Sequence, residues 1–475
     1  MIDTPLYRWS ARALAAGIAR REISAVEVMR AHLDRIAEVE SDVAAFVSMV
    51  PIAEAMRMAE EADTAVAAGE PIGPLHGLPT GVKDLIDVAG LPTSHGSGAY
   101  LDAPPATTDS VLAESLRRSG ALIIGKTNTP EVGLGTLTFN PVRGVCRNPW
   151  DLSRHAGGSS GGAGAALAAG MLPIADGSDS GGSIRYPASF CNIVGLRPTP
   201  GTVPTGRLGN GWDPHGVLGP MARDSADVAL LLTGISGRDR RAPLSWVSDA
   251  GMFAAAGALP PTELRLGWSP DVGGLPIDPE VRGVLRRARE LLEAAGVEIV
   301  DVEPDLAGAD ECWQAIEMFG FGTDGVARLA EGRDGFREDY LRNVREGRAL
   351  TADEYAAALA RRTEIFRRTA EVLTGVDAVI YPATPVAAPA AELEWVREVD
   401  GVVFDRYFLW QRAACRLTVT GHPVLATPAG FTETGLPVGM QVLGASRGDA
   451  RLLAIGMTIE SVLGHVGRVP TGIPG

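Results

Sequence analysis

Two serine-bearing glycine loops lie close together in the middle of the chain. GGSSGGAGAALAAG, residues 157–170, places Ser159 and Ser160 just before an alanine-rich stretch, and GSDSGGSIRYPA delivers Ser183 twenty-four residues after Ser159. Glycines allow the backbone to approach a bound molecule closely and to point several N–H groups at one oxygen. A serine hydroxyl is a weak nucleophile until a neighbouring base activates it. The pattern therefore predicts serine-based nucleophilic chemistry, with residues 180–183 as a candidate oxyanion hole.

The identity of the base is suggested by an imbalance among the basic residues. Of 43 Lys and Arg residues only Lys83 and Lys126 are lysines, which leaves 41 arginines. Genomic base composition explains an arginine bias but not why two lysines remain. Arginine keeps its proton near neutral pH, whereas a buried lysine can lose it. Both lysines are therefore candidates for a general base.

Residues 157–161 also match GxSxG, the nucleophile elbow of α/β-hydrolases, with Ser159 as the nucleophile. That fold needs an acid and a histidine further along the chain, and His215, His422 and His465 are available. The elbow should follow a strand directly, but the preceding CRNPWDLSRHA is polar and contains proline. This alternative is disfavoured.

Four longer motifs extend the pattern over nearly the whole chain. They are GLPTGVKDLIDV around Lys83, GALIIGKTNTPE around Lys126, the central segment from GGSSGG to IRYPASFCNIVGLRPT, and GLPVGMQVLG near the end. With these motifs the chain resembles the amidase signature family. The resemblance implies amide hydrolysis with Lys83 as the base, Ser159 as a bridging serine on a cis peptide, and Ser183 as the nucleophile that accepts the acyl group.

The resemblance also implies roles for the neighbouring residues. Ser160 is expected to support the lysine by a hydrogen bond. The oxyanion hole is expected to consist of four backbone N–H groups, those of Ser180, Gly181, Gly182 and Ser183.

Three charged neighbours of these motifs have structural interpretations. Asp179 and Arg185 flank the nucleophile, and we expect them to form an ion pair that anchors the loop. Lys126 lies at the end of a predicted strand, and we expect it to support the fold.

Composition excludes several classes of function. The net charge is -15 without blocks of like charge, so neither nucleic acid nor a membrane surface is expected as a partner. No run approaches the roughly 20 apolar residues that span a bilayer, and a cytoplasmic protein is expected. The histidines are isolated and the cysteines lack metal-ligand spacing, so neither a metal nor a cofactor is predicted; the cysteines are Cys146, Cys191, Cys312 and Cys415.

Periodicity predicts an α/β fold with a single large domain, 1–475, in which helices flank one mixed central sheet. Residues 1–70 are predicted to form a helical wrap, and residues about 75–220 the catalytic core. Helix signals include the capping pairs Ser24 with Glu27 and Thr351 with Glu354, and helix-forming residues at 278–295. The predicted strands are ALIIGK, VEIVDV, DAVIYPAT, HPVLATPAG and MQVLG.

The substrate is less well defined by the sequence. The acyl pocket is expected within 130–150, 205–220 and 310–325, where four aromatic residues favour an apolar or aromatic acyl group: Trp212, Trp313, Phe319 and Phe321. A stand-alone amidase acting on small carboxamides, anilides, hydrazides or esters is favoured, with a possible homodimer contact through the helical N-terminus. One alternative is a glutamine-hydrolysing A subunit of a tRNA-dependent amidotransferase. The other is an inactive binding protein, which is much less favoured because Lys83, Ser159 and Ser183 are all present.

Overall fold

The computed structural model describes residues 4–206 and 210–474. Its helices alternate with strands along most of the chain. The α-helices are α1 Ala11–Ala19, α2 Ala25–Val43, α3 Ile52–Ala68, α4 Val111–Arg118, α5 Gly161–Ala169, α6 Arg185–Cys191, α7 Ser225–Ile235, α8 Ala250–Ala254, α9 Pro279–Ala294, α10 Ala309–Ala330, α11 Glu338–Ala349, α12 Ala352–Val372, α13 Arg412–Val419 and α14 Asp449–Leu463.

Most strands join one eleven-stranded sheet. The strands are β1 Phe46–Met49, β2 Pro79–Lys83, β3 Leu122–Thr127, β4 Phe139–Asn140, β5 Gly144–Val145, β6 Arg147–Asn148, β7 Asp151–His155, β8 Ile174–Asp179, β9 Val194–Arg197, β10 Val217–Ala222, β11 Arg265–Trp268, β12 Glu298–Asp301, β13 Ala378–Pro382, β14 Glu398–Val399, β15 Val402–Val403, β16 Val424–Phe431 and β17 Pro437–Gly444. The sheet order is β1-β3-β2-β8-β10-β9-β16-β17-β13-β11-β12, with parallel and antiparallel neighbours. The predicted α/β fold with one mixed sheet flanked by helices is confirmed.

The local signals in the sequence correspond closely to these elements. Both predicted capping boxes are present, with the Ser24 side chain at the start of α2 and the Thr351 side chain at the start of α12. The five predicted strands correspond to β3, β12, β13, β16 and β17. The predicted helical wrap is wrong at β1, which pairs antiparallel with β3 at the sheet edge. A four-residue strand is too short to show a clear period of its own, so its pairing partner decides its conformation.

Helix α5 lies at the centre of the molecule and is buried on every side. Its small residues permit this close packing. A Cβ at Gly162 would lie 2.2 Å from the backbone nitrogen of Asn128 and 2.4 Å from the backbone oxygen of Ala45. The alanine-rich sequence therefore lets a helix carry the serine loop into the core.

Helices α10 and α11 pack closely enough to distinguish two glycines on α10. A Cβ at Gly322 would lie 2.6 Å from the backbone carbon of Gly347, whereas one at Gly320 would have no neighbour within 4 Å. We expect Gly322→Ala to lower the free energy of unfolding by about 1–3 kcal/mol because it overpacks this contact. Gly320→Ala should leave the free energy of unfolding unchanged or raise it, since alanine favours a helix more than glycine does. Urea denaturation of both variants tests this, and equal effects would contradict the packing.

Candidate active site

The structure brings Lys83 and four serines from separate elements to one place. Lys83 ends β2, Ser159 and Ser160 precede α5, Ser178 lies on β8, and Ser183 precedes α6. Strands β2 and β8 are parallel neighbours, so the lysine and Ser178 lie near the same edge of the sheet. Ser160 donates its backbone N–H to the backbone oxygen of Ser183 at 3.0 Å and so ties the two serine loops together.

The amine of Lys83 is fully buried among hydroxyl groups. Its Nζ lies 2.7 Å from Ser159 Oγ, 2.9 Å from Ser160 Oγ and 2.9 Å from Ser178 Oγ. A protonated amine can donate to all three oxygens, while a neutral amine has a lone pair that can accept from one of them. The predicted partnerships of Lys83 with Ser159 and Ser160 are both present in the structure.

Burial sets the protonation behaviour of this amine. Removal from water lowers the pKa of Lys83 to about 7, although Asp176 and Asp179 act in the opposite direction. Asp176 accepts the backbone N–H of Lys83 at 3.1 Å and makes no hydrogen bond to its amine. Burial also raises the pKa of Asp176 to about 6. Lys83 can therefore exist as a neutral base near physiological pH.

Ser159 and Ser183 lie near each other, but their hydroxyl groups are not hydrogen-bonded. The Gly158–Ser159 peptide is cis, as the resemblance implied. No hydrogen bond connects the hydroxyls of Ser159 and Ser183 in the described ranges, and Ser183 is 7% exposed. Active-site hydrogen bonds often form fully only when substrate is bound.

The structure differs from the predicted oxyanion hole at Gly182. Its backbone N–H donates to Asp179 Oδ1 at 2.9 Å and is therefore already occupied. Among the described residues, the N–H groups of Ser180, Gly181 and Ser183 have no hydrogen-bond partner. The structure thus leaves three of the four predicted donors available. The sequence does not show that Asp179 binds the Gly182 N–H, because this bond depends on the orientation of the Asp179 side chain.

Asp179 and Arg185 form the structural pair that was predicted. Two guanidinium nitrogens of Arg185 donate to the Asp179 carboxylate at 2.8 and 3.0 Å, and both side chains are fully buried. Burial alone would raise the pKa of Asp179, but the charges of Arg185 and Arg197 hold it well below its usual range. Lys126 also has a structural environment, since its amine lies 3.2 Å from the buried carboxylate of Asp84.

The histidines required by an α/β-hydrolase mechanism lie elsewhere. None of His215, His422 and His465 makes a hydrogen bond with Ser159, whose hydroxyl contacts Lys83. In the described part of the chain, no cluster of three or more His, Cys, Asp or Glu side chains could hold a metal ion. Within the same ranges, none of the helices has both the length and the apolar character that crossing a bilayer requires.

A cleft opens beside Ser180. It contains only one of the four aromatic residues expected in the acyl pocket, Phe321. Trp212 is 71% exposed, Trp313 is buried and donates its indole N–H to the Ser180 carbonyl at 2.7 Å, and Phe319 stacks on Tyr355. Much of the cleft wall is polar, so these aromatic residues do not form a continuous apolar pocket.

Sequence reasoning missed two residues of the site. Ser178 contacts the lysine, and Glu317 accepts a hydrogen bond from the Ser180 hydroxyl at 3.0 Å. Strand alternation puts Ser178 on the same face as Asp176, but its contact with Lys83 depends on the pairing of β8 with β2. Glu317 lies 137 residues from Ser180 in the sequence, and no local signal marks it.

Known proteins similar to this chain match it over nearly its whole length. The family described as Amidase matches residues 27–453. An acylamidase of Rhodococcus erythropolis is 34% identical over 468 residues, covering 97% of this chain and 97% of that protein. The A subunit of a glutamyl-tRNA(Gln) amidotransferase from Salinispora tropica is 36% identical over 495 residues, covering 97% and 98%.

Similar solved structures also extend over the entire fold. A bacterial aryl acylamidase of the amidase signature family has a TM-score of 0.91 at 26% identity, covering 99% of this chain and 100% of that chain. A 6-aminohexanoate cyclic dimer hydrolase has a TM-score of 0.86 at 26% identity, covering 99% and 100%. The whole fold therefore has counterparts in an aryl acylamidase and in a cyclic dimer hydrolase.

The buried Asp179–Arg185 pair yields a prediction about stability. Removing the charge in Arg185→Gln leaves Asp179 with a weaker set of partners, and we expect a loss of about 3–5 kcal/mol in the free energy of unfolding. Arg57→Gln is the control, since Arg57 pairs with Glu54 and Glu61 at the surface and its loss should matter little. Chemical denaturation measures both, and a similar small effect for the two variants would contradict the anchoring role.

Proposed function

The chain belongs to the amidase signature family, and from that premise we propose that it hydrolyses carboxamides and related acyl compounds through an acyl-enzyme on Ser183. The observation that carries this proposal is the buried Lys83 amine surrounded by the hydroxyls of Ser159, Ser160 and Ser178. Such an amine can act as a base near neutral pH because burial disfavours its charged form.

The first half of the proposed reaction forms the acyl-enzyme. The Ser183 side chain rotates towards Ser159 and attacks the substrate carbonyl carbon, while its proton passes to Ser159 Oγ. Ser159 transfers its own proton to neutral Lys83. The C–N bond then breaks as Ser159 returns a proton to the leaving nitrogen and recovers one from Lys83.

The second half releases the acid. Water attacks the acyl carbon, the same relay removes its proton, and the Ser183 oxygen leaves and is reprotonated. Both tetrahedral intermediates carry a negative oxygen, for which the N–H groups of Ser180, Gly181 and Ser183 are the proposed donors. Loss of one such donor typically raises a barrier by about 3–4 kcal/mol. Ser160 and Ser178 act as positioning residues that hold the lysine.

We propose a stand-alone amidase acting on small amides, anilides, hydrazides or esters, in line with the acylamidase relative. One observation supports a second candidate, namely the 36% identity with the A subunit of an amidotransferase. That function would require glutamine as the ammonia donor and partner subunits. The two candidates share the catalytic steps and differ in substrate.

We expect purified protein to hydrolyse at least one simple aryl amide, alkyl amide or hydrazide. Ser183→Ala should reduce its kcat by about 10⁴-fold or more, because the variant lacks the hydroxyl on which the proposed acyl-enzyme forms. A chromogenic screen of these substrates together with glutamine measures both effects. Activity on glutamine alone would favour the amidotransferase role, and unchanged activity in Ser183→Ala would rule out the proposed nucleophile.

The mechanism also predicts a dependence on pH. Lys83 acts in its neutral form, so kcat/KM should rise about tenfold per pH unit below the lysine pKa and level off above about 7. Lys83→Arg should be inactive at every pH, since arginine stays protonated. Initial rates across the pH range, under conditions where chemistry limits, test this. A flat profile through neutrality would argue against a lysine base.

A further inference from the structure

Helix α10 forms one wall of the cleft beside the serine loops. Residues spaced by three or four lie on the same face of a helix, and Glu317, Phe321, Asp324 and Arg328 all line the cleft. Glu317 is at the inner end, where it contacts Ser180. A molecule bound in the cleft therefore reaches Glu317 close to the loop that carries Ser183.

Glu317 is a largely buried carboxylate without a permanently charged partner. Its side chain is 17% exposed, and its ionisable neighbour is His215, whose Nε2 lies 3.1 Å from Oε2. Among the described residues no lysine or arginine forms an ion pair with Glu317. Buried charges are normally paired, because an uncompensated charge loses its hydration. The Glu317 carboxylate thus has the capacity to bind a further cation or N–H donor.

Two other buried polar groups at the cleft also lack hydrogen bonds. The Tyr340 hydroxyl makes no hydrogen bond, and neither do the two ring nitrogens of His215. His215 Nε2 is close to Glu317 Oε2, but the two atoms are not aligned for a hydrogen bond. These residues are only 1% and 2% exposed, and both line the same cleft as Glu317. Buried polar atoms in native proteins are nearly always satisfied. This second observation indicates that a polar ligand completes the site.

The distribution of charge along the cleft indicates which ligand group belongs at the inner end. The positively charged arginine of the described lining, Arg328, is eleven residues from Glu317, which is about 16 Å along the helix axis. Arg328 donates to the Tyr100 hydroxyl at 3.4 Å. Asp324 lies between the two ends and has no ion-pair partner among the described residues. The inner half of the cleft wall formed by α10 is therefore negative.

We propose that Glu317 is a specificity-determining residue that binds a protonated amine on the acyl part of the substrate, so that the preferred substrates are amides of amino-substituted acids. This inference rests on the proposed amidase function. We assign the amine to the acyl part because this part stays bonded to Ser183 after the leaving amine has departed. Its contact with Glu317 then assists both halves of the reaction.

The test compares ω-aminoacyl 4-nitroanilides with alkanoyl 4-nitroanilides of the same chain length. The wild-type protein should prefer the amino substrate by about tenfold or more in kcat/KM, as expected for a hydrogen bond between charged groups. Glu317→Gln keeps the shape and a hydrogen-bond acceptor but removes the charge, and should bring this ratio close to one. Glu311→Gln, the same substitution on an exposed face of α10, should leave the ratio unchanged.

A binding measurement separates this inference from the proposed function. Calorimetry with the Ser183→Ala protein compares the binding of 5-aminopentanamide with that of hexanamide. The amino ligand should bind at least about tenfold more tightly. This preference should be lost in the double variant that also carries Glu317→Gln. Equal binding of the two amides, or selectivity that survives Glu317→Gln, would overturn the role of Glu317. Selective binding, without hydrolysis of any amide, anilide, hydrazide or ester by the wild-type protein, would support the role of Glu317 and reject the amidase proposal instead.

Discussion

The burial of the Lys83 amine among hydroxyl groups, with no carboxylate of the described residues bonded to it, is the constraint on which the rest of the site depends. An amine that is removed from water loses its preference for the charged form unless a nearby anion restores it. Around Lys83 the direct partners are hydroxyls, and the nearby Asp176 carboxylate binds the backbone N–H instead. Lys126 shows the contrast, because it is also buried but pairs with Asp84 at 3.2 Å. The two lysines are thus both buried but differ in their partners, which are hydroxyl groups at Lys83 and a carboxylate at Lys126.

The Asp179 carboxylate fixes the conformation of the loop that carries Ser183. The carboxylate accepts the backbone N–H groups of Gly182 and Ile184 and two bonds from Arg185. These bonds fix the turn that presents Ser183, and they also occupy one of the N–H groups expected at the oxyanion hole. Asp179 therefore shapes the loop and also limits which of its backbone N–H groups remain available as donors.

Helix α10 connects the loop that carries Ser183 with the cleft. Trp313 binds the carbonyl of Ser180 and Glu317 binds its hydroxyl, one turn further along the same helix. A displacement of α10 would therefore move both the cleft wall and the backbone next to Ser183. The cleft wall and the loop that carries Ser183 are therefore in contact through Ser180.

The sequence by itself determined the elements with strong local patterns and the short list of candidate site residues. Capping boxes, hydrophobic periodicity and glycine-serine loops depend on neighbours a few residues apart, so they can be recognised without the fold. The tertiary structure alone decided that β1 is a strand, that Ser178 joins the lysine, that the N–H of Gly182 is occupied, and that Glu317 faces Ser180. The pairing of β1, the contact of Ser178 with Lys83 and the contact of Glu317 with Ser180 each need a partner distant in the sequence, so they exist only once the sheet and its helices have assembled. The partner of Gly182 is the nearby Asp179, but that bond depends on how burial and Arg185 orient the Asp179 carboxylate.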